Sequence, residues 1–200
     1  MCAKFKPSSK SSDPNAKWEL FIALEVPEVL KKELLTQERK IPFWRWIDPK
    51  LLVMPLCKIG PVEQEKALSL EEPFLDAFFG FRMIRFTPEG YGFSPNIAKA
   101  DSFHIVMQCS HAFEELSSAV DSFAEEHFQK KKRGSFRANL PIMELLKPPV
   151  QLDVDRLSKW ADKLILSEPF AEYITLFRKG STKRGELIYV PIARAELARP

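Results

Sequence analysis

The chain has 200 residues, 45% of them hydrophobic, and a formal net charge of +3. That length suffices for one substantial domain, and so slight a charge by itself demands neither a nucleic acid nor an anionic membrane as partner. No apolar run approaches the length of a membrane span, and the three cysteines, Cys2, Cys57 and Cys109, lack metal-ligand spacing and cannot close a disulfide framework, so reduced thiols in a cytoplasmic protein are expected.

Residues 1–16 carry Pro7, Pro14, Lys4, Lys6, Lys10 and several serines, with too little apolar surface to offset the entropy of ordering. They read as a flexible tail ahead of a single domain spanning 17–200. Trp18 to Glu25 is a compact apolar strand, Pro27 opens a helix, and Val29, Leu30, Leu34 and Leu35 supply its stripe. A strand from Leu51 to Ile59 is followed by a turn at Gly60-Pro61 and a helical stretch from Val62 to about Phe79, weakened in its middle by Pro73. Strands near Phe81 to Thr87 and Ser102 to Cys109 flank a loop containing Gly90, Gly92 and Pro95. Phe113, Leu116, Val120, Phe123 and Phe128 mark an amphipathic helix, closed by the basic run Lys130, Lys131, Lys132 and Arg133. A short strand from Asn139 to Glu144 leads through Pro148-Pro149 to a helix with Val154, Leu157, Trp160, Ala161 and Leu164. Two further strands, Ala171 to Lys179 and Glu186 to Ala195, end the chain. Roughly seven strands and four helices, mixing hairpin-like pairs with crossovers, describe an α+β fold better than a doubly wound parallel sheet.

Two stretches carry more than the rest. Leu51-Leu52-Val53-Met54-Pro55-Leu56-Cys57-Lys58-Ile59-Gly60 follows Trp46-Ile47-Asp48-Pro49, and Phe136-Arg137-Ala138-Asn139-Leu140-Pro141-Ile142-Met143 lies in the other half. Set in these flanks, they resemble the two H-x-T motifs of the 2H phosphoesterase superfamily, in particular the bacterial RNA 2′,3′-cyclic phosphodiesterases, also called 2′-5′ RNA ligases. The opening Trp18 to Pro27 and the closing pair Tyr173 to Arg178 and Ile188 to Ala193 resemble the same family, so the likeness runs from Trp18 to about Leu197. It implies two pseudo-symmetric lobes of antiparallel sheet with flanking helices, each bringing one motif strand to a central cleft. Both motifs are degenerate: Val53 and Asn139 stand where the family has His, and Pro55 and Pro141 where it has Thr.

In the intact family the two imidazoles act as general base and general acid, and the threonine hydroxyls hold phosphate oxygens. Val53 cannot transfer a proton, and Asn139 forms hydrogen bonds without titrating. Proline at 55 and 141 removes both the hydroxyl and a backbone donor. No catalytic residue is therefore assigned and no cofactor is implied. Proline inside a strand also removes a ladder hydrogen bond, so either each motif strand bulges or reaches a free edge at its proline, or the match to the motifs is displaced by a residue or two.

The resemblance places Arg45, Asn139 and Arg178 as ligand-binding candidates at the cleft, guanidinium groups suiting phosphate geometry. Trp44 and Trp46 suit base stacking or lobe packing. His104 reads as a half-buried strand histidine, and His111 and His127 as polar positions at helix ends. Three functions follow: a non-catalytic protein binding RNA, a nucleotide or a protein through the old cleft; a phosphodiesterase or transferase whose chemistry has moved to Glu144, Asn139, His104 or Tyr189; or a partner-binding scaffold whose cleft is filled by Val53, Met54, Met143 and phenylalanines.

Overall fold

A computed structural model describes residues 17–37, 44–131, 137–147 and 149–199. The expected tail, and Lys132 and Arg133 of the basic run, lie outside the described residues. Among the described residues are ten strands and five α-helices: β1 (Lys17–Glu25), α1 (Glu28–Thr36), β2 (Trp44–Trp46), β3 (Val53–Glu63), α2 (Gln64–Leu68), α3 (Glu71–Phe78), β4 (Ile84–Arg85), β5 (Pro88–Ser94), β6 (Ser102–Met107), α4 (His111–Phe128), β7 (Asn139–Leu145), α5 (Gln151–Ala161), β8 (Phe170–Ala171), β9 (Tyr173–Ser181) and β10 (Leu187–Glu196). They build two four-stranded sheets, the first ordered β10-β9-β1-β3 and the second β2-β7-β6-β5, with β4 and β8 as a small third pair. All strand pairs within them are antiparallel, so the α+β expectation holds.

The core joins the backs of both sheets. Behind the first sheet, α3 packs against β10 and α4 against β3. There the rings of Phe74 and Phe78 meet Phe123 of α4 at 5.5 and 5.8 Å. Ser110 caps α4 by accepting a hydrogen bond from the Phe113 amide, and Phe113, Leu116, Val120 and Phe123 form its buried stripe. Behind the second sheet, Trp160 of α5 meets Trp46 edge-on at 5.5 Å and Phe103 at 6.2 Å. Only Leu30 and Leu34 of α1 are buried, Val29 and Leu35 remaining half exposed, which narrows the expected stripe.

Several elements differ from expectation for local reasons. β3 does not stop at Ile59 but continues to Glu63, because Gly60 adopts a φ of +98° that lets the strand kink without ending. The following helical stretch divides into α2 and α3 at Ser69-Leu70. Pro73 then sits in the first turn of α3, where its missing N–H costs nothing. The strand near 81–87 shrinks to Ile84–Arg85.

Four of the strand prolines share one device. The residues after Pro55, Pro88, Pro141 and Pro191, namely Leu56, Glu89, Ile142 and Ile192, have no partner in the ladder. Each is a bulge, and each proline lies on an edge strand or, for Pro141, beyond the point where β2 stops pairing with β7. Both motif strands therefore meet the condition their prolines impose.

Candidate functional site

Alternation along β3 and β7 decides what the motif positions face. Met54 and Leu56 of β3, and Leu140 and Ile142 of β7, enter the core at 1–2% exposure or less, so Val53, Pro55, Asn139 and Pro141 project from the opposite faces. The bulge after each proline shifts the alternation by one, which brings Lys58 and Glu144 onto the same faces three residues later. The two degenerate motifs thus occupy equivalent places on two sheets. These faces look onto one cleft, since burial first, and then the Glu144 carboxylate of the second sheet, raises the pKa of Tyr189 on the first.

On the first sheet the cleft face has an aromatic floor. Phe21 and Phe177 stack at 5.4 Å, Tyr189 meets Phe21 edge-on at 4.7 Å, and Val53 packs beside them with Ala23. Cross-strand pairing places exposed Lys58 beside Phe21, and exposed Lys179 beside Tyr189. Among the described residues no carboxylate pairs with either ammonium.

The same face is polar where β1 ends, next to Val53. Glu25 accepts two hydrogen bonds from Arg194 and one from Thr175, all at 2.7 Å, and the Arg194 guanidinium lies 3.5 Å from the Tyr173 ring centroid. This network walls an open concavity of about 770 Å³ shared with Met83, Phe170 and Arg199. Burial pushes the Glu25 pKa up, but the Arg194 and Thr175 hydrogen bonds and the Arg194 charge outweigh it, and the pKa falls below its ordinary value of 4.5. A carboxylate with a lowered folded pKa contributes stability above its unfolded pKa and loses it as pH falls through the folded one. Arg194→Met is expected to cost roughly 1–2 kcal/mol at pH 7, allowing for partial exposure of the pair. The gap from wild type should narrow below about pH 4, where Glu25 protonates in the unfolded state; urea titrations at pH 7 and pH 3.5 check it.

On the second sheet, Arg45 of β2 is paired with Glu144 of β7, its Nε 3.2 Å from Oε2. Its charge is thereby committed. Asn139 stands opposite Val106, with its Oδ1 buried and unpartnered among the described residues. Beside Pro141 in the ladder lies His104, which in turn faces Gly92 of β5. A Cβ at position 92 would come within 2.8 Å of the His104 Nε2, so a larger residue there would push the ring from its place over Gly92. Ser94 Oγ lies 3.3 Å from Nδ1, and the residue is 6% exposed. Burial, and then the Arg137 charge, lowers the His104 pKa below 6.5 and keeps the ring neutral at pH 7.

Of the ligand-binding candidates, Arg45 and Asn139 reach the cleft and Arg178 does not. Arg178 pairs with Leu20, a core residue, and its guanidinium lies 4.5 Å from the Trp18 ring centroid on the back of the first sheet. The cleft positions on β9 are its neighbours Phe177 and Lys179, one residue away on the alternating strand. Trp44 and Trp46 are packing residues of the second sheet. His111 lies exposed at the start of α4 beside Glu115, and His127 packs on Phe123 in its last turn; neither reaches the cleft. Lys130 donates to the Lys58 carbonyl at 2.6 Å, so the basic run begins against β3. Lys58, Lys179 and Arg137 are cleft cations that reading the sequence missed; strand parity corrected for the bulges is the signal that finds them.

No protein-family model matches this chain, and no curated protein does. Solved structures do. TT0787 of Thermus thermophilus superposes with a TM-score of 0.69 at 18% identity, covering 90% of this chain and 97% of that one. E. coli LigT complexed with 3′-AMP gives 0.63 at 16%, covering 91% and 99%. A phosphoesterase structure gives 0.62 at 18%, with the same coverage. LigT has also been solved with NADP+, ATP and phosphate. The chain has the LigT-like, two-lobed fold that its resemblance to the 2H phosphoesterases implied.

Proposed function

We propose that the protein is a non-catalytic LigT-like cleft protein, which binds the end of a single-stranded RNA or a nucleotide and does not turn it over. One observation carries the reading: both motif strands keep their places on the cleft faces, while Val53, Pro55, Asn139 and Pro141 offer no group that titrates near neutrality. The other titratable groups on these faces do not make up a converging pair. Tyr189 is raised above its usual value of 10.0, Glu144 is engaged by Arg45, and His104, lowered by burial, is one imidazole where two groups are needed. Positioned acid–base chemistry needs two titratable groups converging on one reacting atom.

Binding is supported by what remains. Lys58 and Lys179 border a floor whose outer surface is Tyr189, Val53 and Pro55, and the Arg137 charge acts on His104 on the second sheet. Cations beside an aromatic surface suit a phosphate chain with a base laid on the ring. The LigT structures with 3′-AMP, ATP and NADP+ show nucleotides bound by a protein of this fold.

Binding of a short single-stranded RNA, followed by fluorescence anisotropy, should weaken as salt rises, with a log-log slope near −2 for three neutralised phosphates. Lys58→Ala and Lys179→Ala should each lower that slope by about 0.7 without changing base preference. A stable, folded protein that binds neither RNA nor nucleotide at low salt overturns this reading and leaves the partner-binding scaffold, with its aromatic floor buried against a protein.

A further inference from the structure

We infer that His104 is an anion-binding residue of the cleft, gripping a phosphate of the ligand in its protonated form and returning that proton to solvent when the ligand leaves. The inference rests on the proposed binding role of the cleft and names a residue for it. The first ground is position. His104 is the ladder partner of Pro141, the motif position from which the resemblance leads one to expect a phosphate-holding hydroxyl and at which none is present. A phosphate brought to that part of the cleft meets an imidazole in place of the hydroxyl.

The second ground is that the ring has a built seat. Gly90 and Gly92 leave the β5 side of the face bare, and the ring lies over Gly92 so closely that a larger residue there would displace it. Ser94 Oγ at 3.3 Å from Nδ1 fixes the ring's rotation. An ordinary core histidine needs no such glycine; this one is held against the sheet on the cleft side, opposite the face where Phe103 and Ile105 enter the core.

The third ground is charge. The groups that act on the ring are the Ser94 hydroxyl of β5 and Arg137, just ahead of β7, with Pro141 as its ladder partner. The carboxylate on the same face, Glu144, is tied to Arg45, and across the cleft Tyr189 stays protonated. In the empty cleft, burial and Arg137 therefore keep His104 neutral. An arriving phosphate reverses the balance, because an anion within a few ångströms favours the imidazolium and neutralises Arg137 as well. A proton taken up on binding makes binding tighter as pH falls.

The test is an NMR titration of the three histidine ring protons between pH 5 and 8, on the full chain, with and without a short single-stranded RNA bearing a 3′-phosphate. The His104 pKa should rise on binding by roughly one unit or more, while His111 and His127, on α4, stay unchanged. Wild-type affinity should then increase about two- to fivefold between pH 7.5 and 6 for a one-unit rise, and His104→Gln, which keeps a hydrogen-bonding side chain but cannot take up a proton, should bind without that dependence. RNA that binds without moving the His104 titration, or a His104→Gln variant that keeps the pH dependence, overturns this inference and leaves the binding cleft standing. Failure of the RNA to bind at any pH overturns both.

Discussion

No opening of 2′,3′-cyclic phosphate termini above the uncatalysed background is expected of the purified protein, on RNA or on mononucleotides. Each positioned acid or base typically contributes about 10²- to 10⁴-fold, and both are absent from the motif positions. Because such groups act as a unit, losing the pair removes most of the rate that either would supply. The bound phosphate also loses its hydroxyl donors at Pro55 and Pro141, and with them transition-state stabilisation that positioned donors commonly provide at about 3–4 kcal/mol each. The protein's other cleft groups do not make up a converging acid–base pair. Burial first, and then Glu144, raises Tyr189, so it stays protonated at pH 7, Arg45 holds Glu144 at hydrogen-bond distance, and His104 is one imidazole where two groups are needed. The measurement is product formation by chromatography at high enzyme concentration. Turnover that survives repurification and vanishes in His104→Gln or Glu144→Gln would make the protein an enzyme with displaced chemistry.

The frame of the cleft was legible in the sequence because it depends on patterns that survive the loss of chemistry. The resemblance of the two motif stretches, of Trp18 to Pro27 and of the closing strand pair, taken in their order along the chain, implied the two lobes. The prolines were legible as a constraint: they required bulges or edges, and β3 and β7 have both. The facing of single residues was harder. Each bulge inverts the alternation downstream, so Lys58 and Glu144 turn to the cleft where an unbroken strand would point them elsewhere. Arg178 shows the opposite failure, a plausible residue type placed one position out of phase with Phe177 and Lys179. His104 is the buried strand histidine that the sequence reading expected, but its surroundings were not legible. They depend on Gly92 and Ser94 across the ladder, and cross-strand register between β5 and β6 cannot be read from a short Gly/Pro-rich segment.

Phe103→Ala should destabilise the protein by about 3–5 kcal/mol, the usual cost of emptying a fully buried phenylalanine site. Phe103 is at 0% exposure in β6, between Phe93 at 5.2 Å, Tyr91 at 5.8 Å, Trp160 at 6.2 Å and Trp44 at 6.4 Å. These rings belong to β5, α5 and β2, so one side chain joins two further strands of the second sheet and the helix packed behind it. Rings packed this way hold their neighbours in fixed geometry and collapse poorly into a void, which places the cost in the upper range. Total stability of a domain this size is commonly about 5–15 kcal/mol, so the variant should show a large fall in urea midpoint with little change in slope. Lys179→Ala, an exposed cleft substitution, should stay within about 0.5 kcal/mol. The two faces of β6 are also coupled: Phe103 fills the core side and His104, the next residue, lies on the cleft side. Loosening the core at 103 should therefore broaden the His104 ring signals before global unfolding, while His111 at the exposed start of α4 keeps its line width. A loss below about 1 kcal/mol for Phe103→Ala would mean that the second sheet is not held by this aromatic cluster, and the cleft wall carrying His104 and Asn139 would need another support.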